Sequence, residues 1–372
     1  MAQNLEALRQ AAVIYPIFAV LFTVPYLLYC YRKYGSVLSL RIVIVYSFAL
    51  YLLCVYCLVI LPLPSAERAR TLSGHQTQLR PFWFVRNMLG EAKPVWNQPK
   101  SWLRMLNTGA FLTTALNVLM TLPFGIYLRY YFQCSLKKTL IASFLLSLFF
   151  ELTQLSGLYF IYPGSYRLFD VDDLMTNTLG GVTGYALAGP LTRWLPSRET
   201  LDQISAARSE RVSLLRRLLA LGVDLFVAAI FETALYIGSR QTPFGLGMIA
   251  CFVLTAWIGR GRTPGCAITR LRLAREDGSR PRVYQYLVRY VSMYAVLIAL
   301  PAALNVALAL VLADGALSLS PMAALILLGV VDGGYLFGLL FELIRAAMRR
   351  PLFYERLSRT RLVSTLPVPE KK

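Results

Sequence analysis

The sequence predicts an all-α bundle of membrane-spanning helices, on three observations. Of the 372 residues 57% are hydrophobic and only 15% are charged, against about 25% charged in a soluble domain. The mean hydropathy is +0.55. Apolar runs of the length needed to cross hydrocarbon, about 20 residues, recur along the whole chain.

The runs lie at about 12–31, 42–62, 108–128, 139–159, 174–192, 218–238, 244–259, 286–312 and 322–345, nine spans in all. Each is helical, because an unpaired backbone amide in hydrocarbon is too costly to leave exposed. The first is read as an anchor rather than a signal peptide, since no small-x-small cleavage site precedes its basic flank CYRKYG.

Lys and Arg set the orientation. Of 38 basic residues, 28 fall in the segments that follow the odd-numbered spans, and 10 fall in the opposite set. Seven of those ten lie in one long loop, where the charge rule is weaker. This asymmetry predicts the N-terminus outside and the C-terminus in the cytoplasm of a cell membrane. The 31 Arg against seven Lys agree with a GC-rich bacterial genome. The net charge of +19 is explained by the flanks of the spans, and nucleic acid is not expected as a partner.

The polar, basic segment LPSRETLDQISAARSERVSLLRR divides five spans from four. The expected organisation is a five-span module at 12–192, a cytoplasmic linker at 193–211, a four-span module at 212–365 and a tail at 366–372. The six cysteines fall mostly in or beside spans, and the pair Cys54 and Cys57 stands alone within an apolar helix. With one histidine, His75, neither a His-rich metal site nor a Ser-His-Asp triad is expected. No cofactor and no metal is expected.

The informative stretch of the first half is FFELTQLSGLYFIYPGSYRLFDVDDLMTNTLGGVTGYALAGP. Glu151 and Gln154 stand three apart on one helical face. Asp172 or Asp173 is placed to cap the fifth helix. Asn177 follows one turn inside, and Gly181 and Gly184 have the spacing that lets a neighbouring helix approach. A carboxylate within a span requires a partner or water, and Arg167 is the candidate partner of Glu151. Glu151, Gln154, Arg167, Asp170, Asp173 and Asn177 are the candidate ligand-binding residues. The alternative is a salt-bridged knot that fixes the hairpin. Carboxylates so placed also suit a divalent cation bridging to a lipid phosphate. Ser156 and Ser165 lack a His base, so no catalytic residue is assigned. Loop 64–107 adds Phe82, Trp83, Phe84, Trp96 and Trp102, which suit a position at the membrane interface.

These residues resemble the VanZ-like family. Its pattern E-x-x-Q, then R-x-F-D-x-x-D, then N-T-x-G is met by Glu151, Gln154, Arg167, Phe169, Asp170, Asp173, Asn177, Thr178 and Gly180. Asn117, Pro123, Phe124 and Gly125 match its third-span pattern, and Pro81 and Phe82 its aromatic-proline segment. The resemblance covers about 12–192. It implies action at the cell surface, in a family associated with resistance to glycopeptide antibiotics, chiefly teicoplanin. The implied partners are membrane lipids and a lipid-linked cell-wall precursor or lipoglycopeptide.

The second half opens with RRLLALGVDLFVAAIFE, where Arg217 and Asp224 stand about two turns apart on one face. ITRLRLA followed by Asp277 and Gly278 predicts a short strand and turn. Asp224, Glu232 and Asp332 either line a polar track or sit as separate, individually paired acids. This half resembles the RDD family over about 212–365. Arg217, Asp224, Gly261, Thr263, Gly265, Leu271, Leu273, Asp277 and Gly278 meet its pattern, and Glu355, Arg356 and Thr360 meet its closing motif. The family's Lys is Cys266, its His is Tyr354 and its second Asp is Glu355. Arg217, Asp224, Glu355 and Arg356 are therefore candidate site residues, and transport, including ion–proton exchange, is an implied activity.

The leading expectation is a surface-facing membrane protein that binds lipid-linked cell-wall material or lowers sensitivity to glycopeptides. The alternatives are a transporter for an ion or lipid that uses intramembrane acids, and a membrane enzyme acting on a lipid phosphate.

Overall fold

The computed structural model describes residues 2–61, 63–239, 245–313, 321–348 and 350–366. Arg240 and the tail beyond Leu366 lie outside them. Helices dominate, as the hydropathy requires. Among the described residues, seven helices are long and apolar enough to cross a membrane. They are α1 (Ala2–Tyr34, with its apolar window from Val13), α2 (Ser39–Ile60), α6 (Gly109–Tyr130), α7 (Leu136–Leu155), α11 (Leu214–Ser239), a long helix at Val283–Leu310 and α16 (Pro321–Ala347).

Two expected spans differ from these. The helix α9 (Val171–Thr192) has the length, 22 residues, but its first two turns carry Asp172, Asp173 and Asn177. The helix α12 (Leu246–Ile258) is apolar but has 13 residues. The eighth expected run is one continuous helix, α14 (Val283–Tyr294) and α15 (Leu300–Ala313) joined through a π-helical stretch at Ala295–Ala299. Such widened turns are often found at functional sites.

The chain divides into two compact units, Met1–Phe22 with Leu38–Leu201, and Thr23–Val37 with Asp202–Lys372. The segment expected as a linker holds a helix, α10 (Arg198–Ser209). Its first turn holds Glu199 and its last turn Arg208, charges that complement the helix dipole.

In the first unit α6, α7 and α9 pack as a close trio. Thr108, Ser135 and Asp170 supply the side-chain caps at their starts. The approach is set by glycine. A methyl group at Gly125 meets the carbonyl oxygen of Gly181, and one at Gly184 meets that of Leu122. Gly180 faces Thr121 and Val118 in the same way, and Gly181 faces Ser143 on α7. The loop between α2 and α6 is built from α3 (Ala66–Thr71), α4 (Trp83–Ala92), α5 (Pro99–Trp102) and a two-residue strand β1 (Thr77–Gln78). The strand pairs in parallel with β2 (Phe169–Asp170), which follows the short turn α8 (Gly157–Phe160).

In the second unit α11, α12 and α14 enclose a core of Ala228, Phe252, Ala256, Tyr286, Tyr290 and Met293. The short α13 (Pro264–Ile268) leads into β3 (Leu271–Arg275), the strand expected from ITRLRLA, and Gly278 makes the turn with a positive φ of 80°. Its antiparallel partner is β4 (Thr360–Ser364), reached after α17 (Phe353–Ser358). Arg216 is fully buried and donates to the carbonyls of Thr269, Ser209 and Arg270. It thereby ties the start of α11 to the end of α13.

Candidate functional site

The polar residues of the first unit gather at helix ends, and each end receives the charge that its dipole favours. Helix N-termini carry free amides and partial positive charge, and C-termini carry free carbonyls and partial negative charge. Asp170 is the N-cap of α9 and accepts from the Asp172 amide at 2.8 Å. Gln78 also donates to Asp170, at 3.3 Å. Burial raises the Asp170 carboxyl above its ordinary value, and the Asp172 amide opposes that shift.

Asp172 does not cap its own helix. Its carboxylate accepts from the amides of Phe82 and Phe84, each at 2.7 Å, and so caps α4 from 90 residues away. Phe82 is a left-handed residue at the start of α4, with φ of 61° and no side-chain cap of its own. Asp172 is the capping residue that sequence reasoning placed on the wrong helix. The signal was an aromatic run, PFWF, that opens a helix without any Ser, Thr, Asn or Asp.

Glu151 is buried at 2% exposure and accepts from the Asp170 amide at 2.9 Å. Its expected partner, Arg167, is within electrostatic reach of it but makes its hydrogen bonds to other groups. Arg167 donates to the carbonyls of Val59 at 2.8 Å and Leu61 at 3.0 Å, at the end of α2. Gln154 donates to the same Val59 carbonyl at 2.9 Å, and the Tyr166 hydroxyl donates to that of Ile60 at 3.3 Å. Burial pushes the Tyr166 hydroxyl up to about 12. A guanidinium at a helix C-terminus satisfies two free carbonyls and the dipole together. That is why Arg167 turns from the carboxylate to the backbone.

Deeper in the trio, Asn117 donates to Asp173 at 2.7 Å and Asn177 donates to Ser147 at 3.0 Å. Thr121 donates to the Asn177 carbonyl at 2.8 Å. Thr139, Ser143, Ser147 and Glu151 recur every fourth residue of α7, all buried, so one face of this helix is polar along its length. The structure thus brings Glu151, Asp170 and Asp173 to one end of α7 and α9 and joins Gln154 with Arg167 at α2. Among the described residues, no group of three or more His, Cys, Asp or Glu is arranged to hold a metal ion. The Ser156 hydroxyl donates to the Thr153 carbonyl, and the Ser165 hydroxyl accepts from the Gln76 amide. His75 meets the Leu155 carbonyl rather than either serine.

The helix capped by Asp172 roofs an open apolar groove of about 590 Å3. Phe84 and Met88 of α4 form one wall, and Phe111, Ala115, Val118 and Leu122 of α6 contribute to the other. Trp83, which does not line the groove, has the guanidinium carbons of Arg80 and Arg86 at 5.7 and 4.5 Å from its ring centroid. Both arginines are exposed.

The second unit brings together most of its expected residues. Asp224 accepts from the Thr263 hydroxyl at 2.5 Å and the Gly265 amide at 2.7 Å. Glu355 is bonded by Arg217 at 3.0 Å and lies 3.5 Å from Arg289. Arg289 was not expected; its signal is a lone Arg on the buried face of the amphipathic stretch VYQYLVRYVSMY. Arg356 stands apart, half exposed and paired with Glu342 at 3.5 Å. The three intramembrane acids do not form a track. Glu232 caps α12 through the Gly245 and Met248 amides, each at 2.7 Å, and Asp332 accepts from Asn305 at 3.1 Å.

The sequence model of the VanZ/LLP1 family matches residues 48–192. The matched stretch contains the whole network of α6, α7, α9 and the two loops, so residues 48–192 are similar to that family. No curated protein matches the chain, and no solved structure matches it.

Proposed function

We propose that this multi-pass membrane protein with a VanZ-like domain binds a lipid-linked, anionic cell-wall precursor, and that this binding lowers sensitivity to glycopeptide antibiotics of the teicoplanin type. One observation carries the proposal: an open groove lined by apolar side chains lies against α4, and Trp83, the first residue of α4, holds the guanidinium groups of Arg80 and Arg86 against its ring. The groove suits an acyl or isoprenoid chain. Exposed guanidinium groups over an aromatic ring suit a phosphate at the interface. Glu151, Gln154, Arg167, Asp170, Asp173 and Asn177 act by holding the two loops and α4 in register, and the face they organise looks outward.

The test is cellular. Cells expressing the protein are challenged with teicoplanin, alongside variants Ala115→Trp, which fills the groove, and Glu151→Ala, Arg167→Ala and Asp173→Ala. Loss of protection in all four is expected. Unchanged protection by correctly inserted variants defeats the proposal. Single introduced cysteines in loops 64–107 and 160–170, labelled from outside the cell, test the sidedness separately.

For the second unit we propose an RDD-like fold that anchors or regulates the first. Arg217 with Glu355, Asp224 with Thr263 and Gly265, and the pairing of β3 with β4 all join residues of the motif across long sequence separations. Transport of an ion is tested by proteoliposome flux, which it requires to fall in Asp224→Asn.

A further inference from the structure

The loop aromatics expected at the membrane interface do not act as one group. Phe84 lines the groove, and Trp83 holds two arginines. Trp96 and Trp102 do not line the groove. Their rings meet edge to face at 5.8 Å, and both are exposed, Trp96 at 84%. They stand on a short ordered segment, 93–107, between α4 and α6. Buried Ser101 fixes its bend, accepting from the Val95 amide at 2.8 Å and donating to the Gln98 carbonyl at 2.7 Å. Glu91 accepts from the Gly109 amide at 2.7 Å and so clamps the two ends of the segment.

Beyond α5, a 3-10 turn at Leu103–Asn107 leads into α6. Residues three apart share one side of such a turn, so Leu103 and Leu106 stand together, and both are exposed. Lys100 stands three residues before Leu103. Between Ala92 and Thr108 the chain carries Lys93, Lys100 and Arg104 and no acidic residue, and all three basic side chains are exposed. A row of large apolar side chains is costly in water. Here the row reaches lipid, because Leu106 lies three residues before Gly109, the first residue of the spanning helix α6. Leu112 and Leu116 of α6 are exposed in turn, within the apolar stretch that crosses the membrane.

We propose that residues 93–107 dock on the bilayer surface beside α6, in a leaflet that carries anionic lipid. Trp96, Trp102, Leu103 and Leu106 enter the interface, the level that tryptophan favours. Lys93, Lys100 and Arg104 lay their stems along it and carry their charges to lipid phosphates. Docking holds the loop that bears α4 at the level of the lipid headgroups, whatever the groove against α4 contains.

The test uses the full chain in nanodiscs of equal parts phosphatidylcholine and phosphatidylglycerol, with one of the two lipids brominated in its acyl chains. Bromine quenches a tryptophan that it touches, and acrylamide quenches one that lies in water. The difference between the wild type and Trp96→Phe isolates the Trp96 signal, and Trp102→Phe supplies a second reading if Trp96→Phe does not fold. Brominated lipid is expected to quench Trp96, and acrylamide is not. Brominated phosphatidylglycerol is expected to quench it more than brominated phosphatidylcholine, with a local preference of about fivefold, which one basic side chain near an anionic surface supplies. Lys93→Gln combined with Lys100→Gln and Arg104→Gln is expected to abolish that preference. Quenching by acrylamide and not by lipid overturns the docking. Shielding from both, the mark of a protein cover, overturns it as well. Equal quenching by the two lipids overturns the anionic preference.

Discussion

Asp172 and Phe82 stand 90 residues apart, and the carboxylate of one accepts the amide of the other at 2.7 Å. The bond to Phe84 completes the cap, at the same distance. A helix that opens on aromatic residues has no acceptor of its own, so its first amides depend on a side chain from the first turn of α9. Asp172→Ala removes both bonds and leaves the amides unmet. A cost of about 2 kcal/mol is expected, with faster proteolysis within 64–107. Asp172→Asn keeps one acceptor oxygen and retains roughly half of the effect. Equal thermal stability of the wild type and Asp172→Ala contradicts the capping role.

Glu151 is bonded to a backbone amide rather than to a cation, which separates its shape from its charge. Glu151→Gln presents a carbonyl oxygen to the Asp170 amide and costs under about 1 kcal/mol. Glu151→Ala strands that amide and costs about 1–3 kcal/mol. Thermal unfolding of both variants in one detergent decides the point. A Gln variant as unstable as the Ala variant argues that the charge itself is required by the fold.

The closest helix approach rests on Gly125, Gly180 and Gly184. Gly184→Ala drives a methyl group into the Leu122 carbonyl, which is backbone and moves only with its helix. Overpacking of this kind costs about 1–3 kcal/mol. Gly222→Ala on α11 meets nothing within 4 Å and serves as the control, with no loss expected. Similar unfolding midpoints for the two variants remove the packing account.

The spans, the polar cluster and the strand at Leu271–Arg275 were legible in the sequence because each is a local pattern. Hydropathy marks a span, a run of acids marks a helix start, and alternation marks a strand. The partner of each polar atom was not legible. Charge alone sends Arg167 to Glu151, yet the last carbonyls of α2 offer two acceptors and a favourable dipole, and they win. Asp172 reads as a cap for the helix that follows it, and nothing local reveals that α4 needs it more. The strand β4 was hidden because TRLVS follows a short helix and lacks a turn signal toward β3. The polar start of α9 was visible, but its consequence, a helix of spanning length below the apolar threshold, depends on burial against α6 and α7.

Cys266 lies in the short helix α13, between α12 and β3, buried at 4% exposure. Burial pushes its thiol from an ordinary value of 9.0 up to about 11. A raised value means that folding favours the protonated thiol. Its stabilisation is full below about pH 9 and is lost as pH rises toward 11, a ceiling on the order of 3 kcal/mol. The alkaline fall in stability between those limits is therefore expected to be steeper in the wild type than in Cys266→Ala. At neutral pH the native protein is expected to resist maleimide at Cys266, and the unfolded chain to react. Parallel pH profiles for the two proteins discard the assignment.

Glu355 sits between Arg217 and Arg289, at 2% side-chain exposure, with Arg289 at 5%. Removing one member of a buried ionic cluster costs more than the cluster contributes, because the remaining charge loses its mate in a poorly solvated place. Glu355→Ala leaves two buried guanidinium groups facing each other and is expected to cost about 3–5 kcal/mol. Arg217 is more exposed, at 16%, and Arg217→Met leaves Glu355 still balanced by Arg289. That variant is expected to cost about 1–2 kcal/mol. The double variant Arg217→Met with Glu355→Ala relieves part of the uncompensated charge, so its loss falls short of the sum of the two single losses. Strict additivity in this cycle means that the two side chains do not sense each other, and the ion pair assigned between them fails with it.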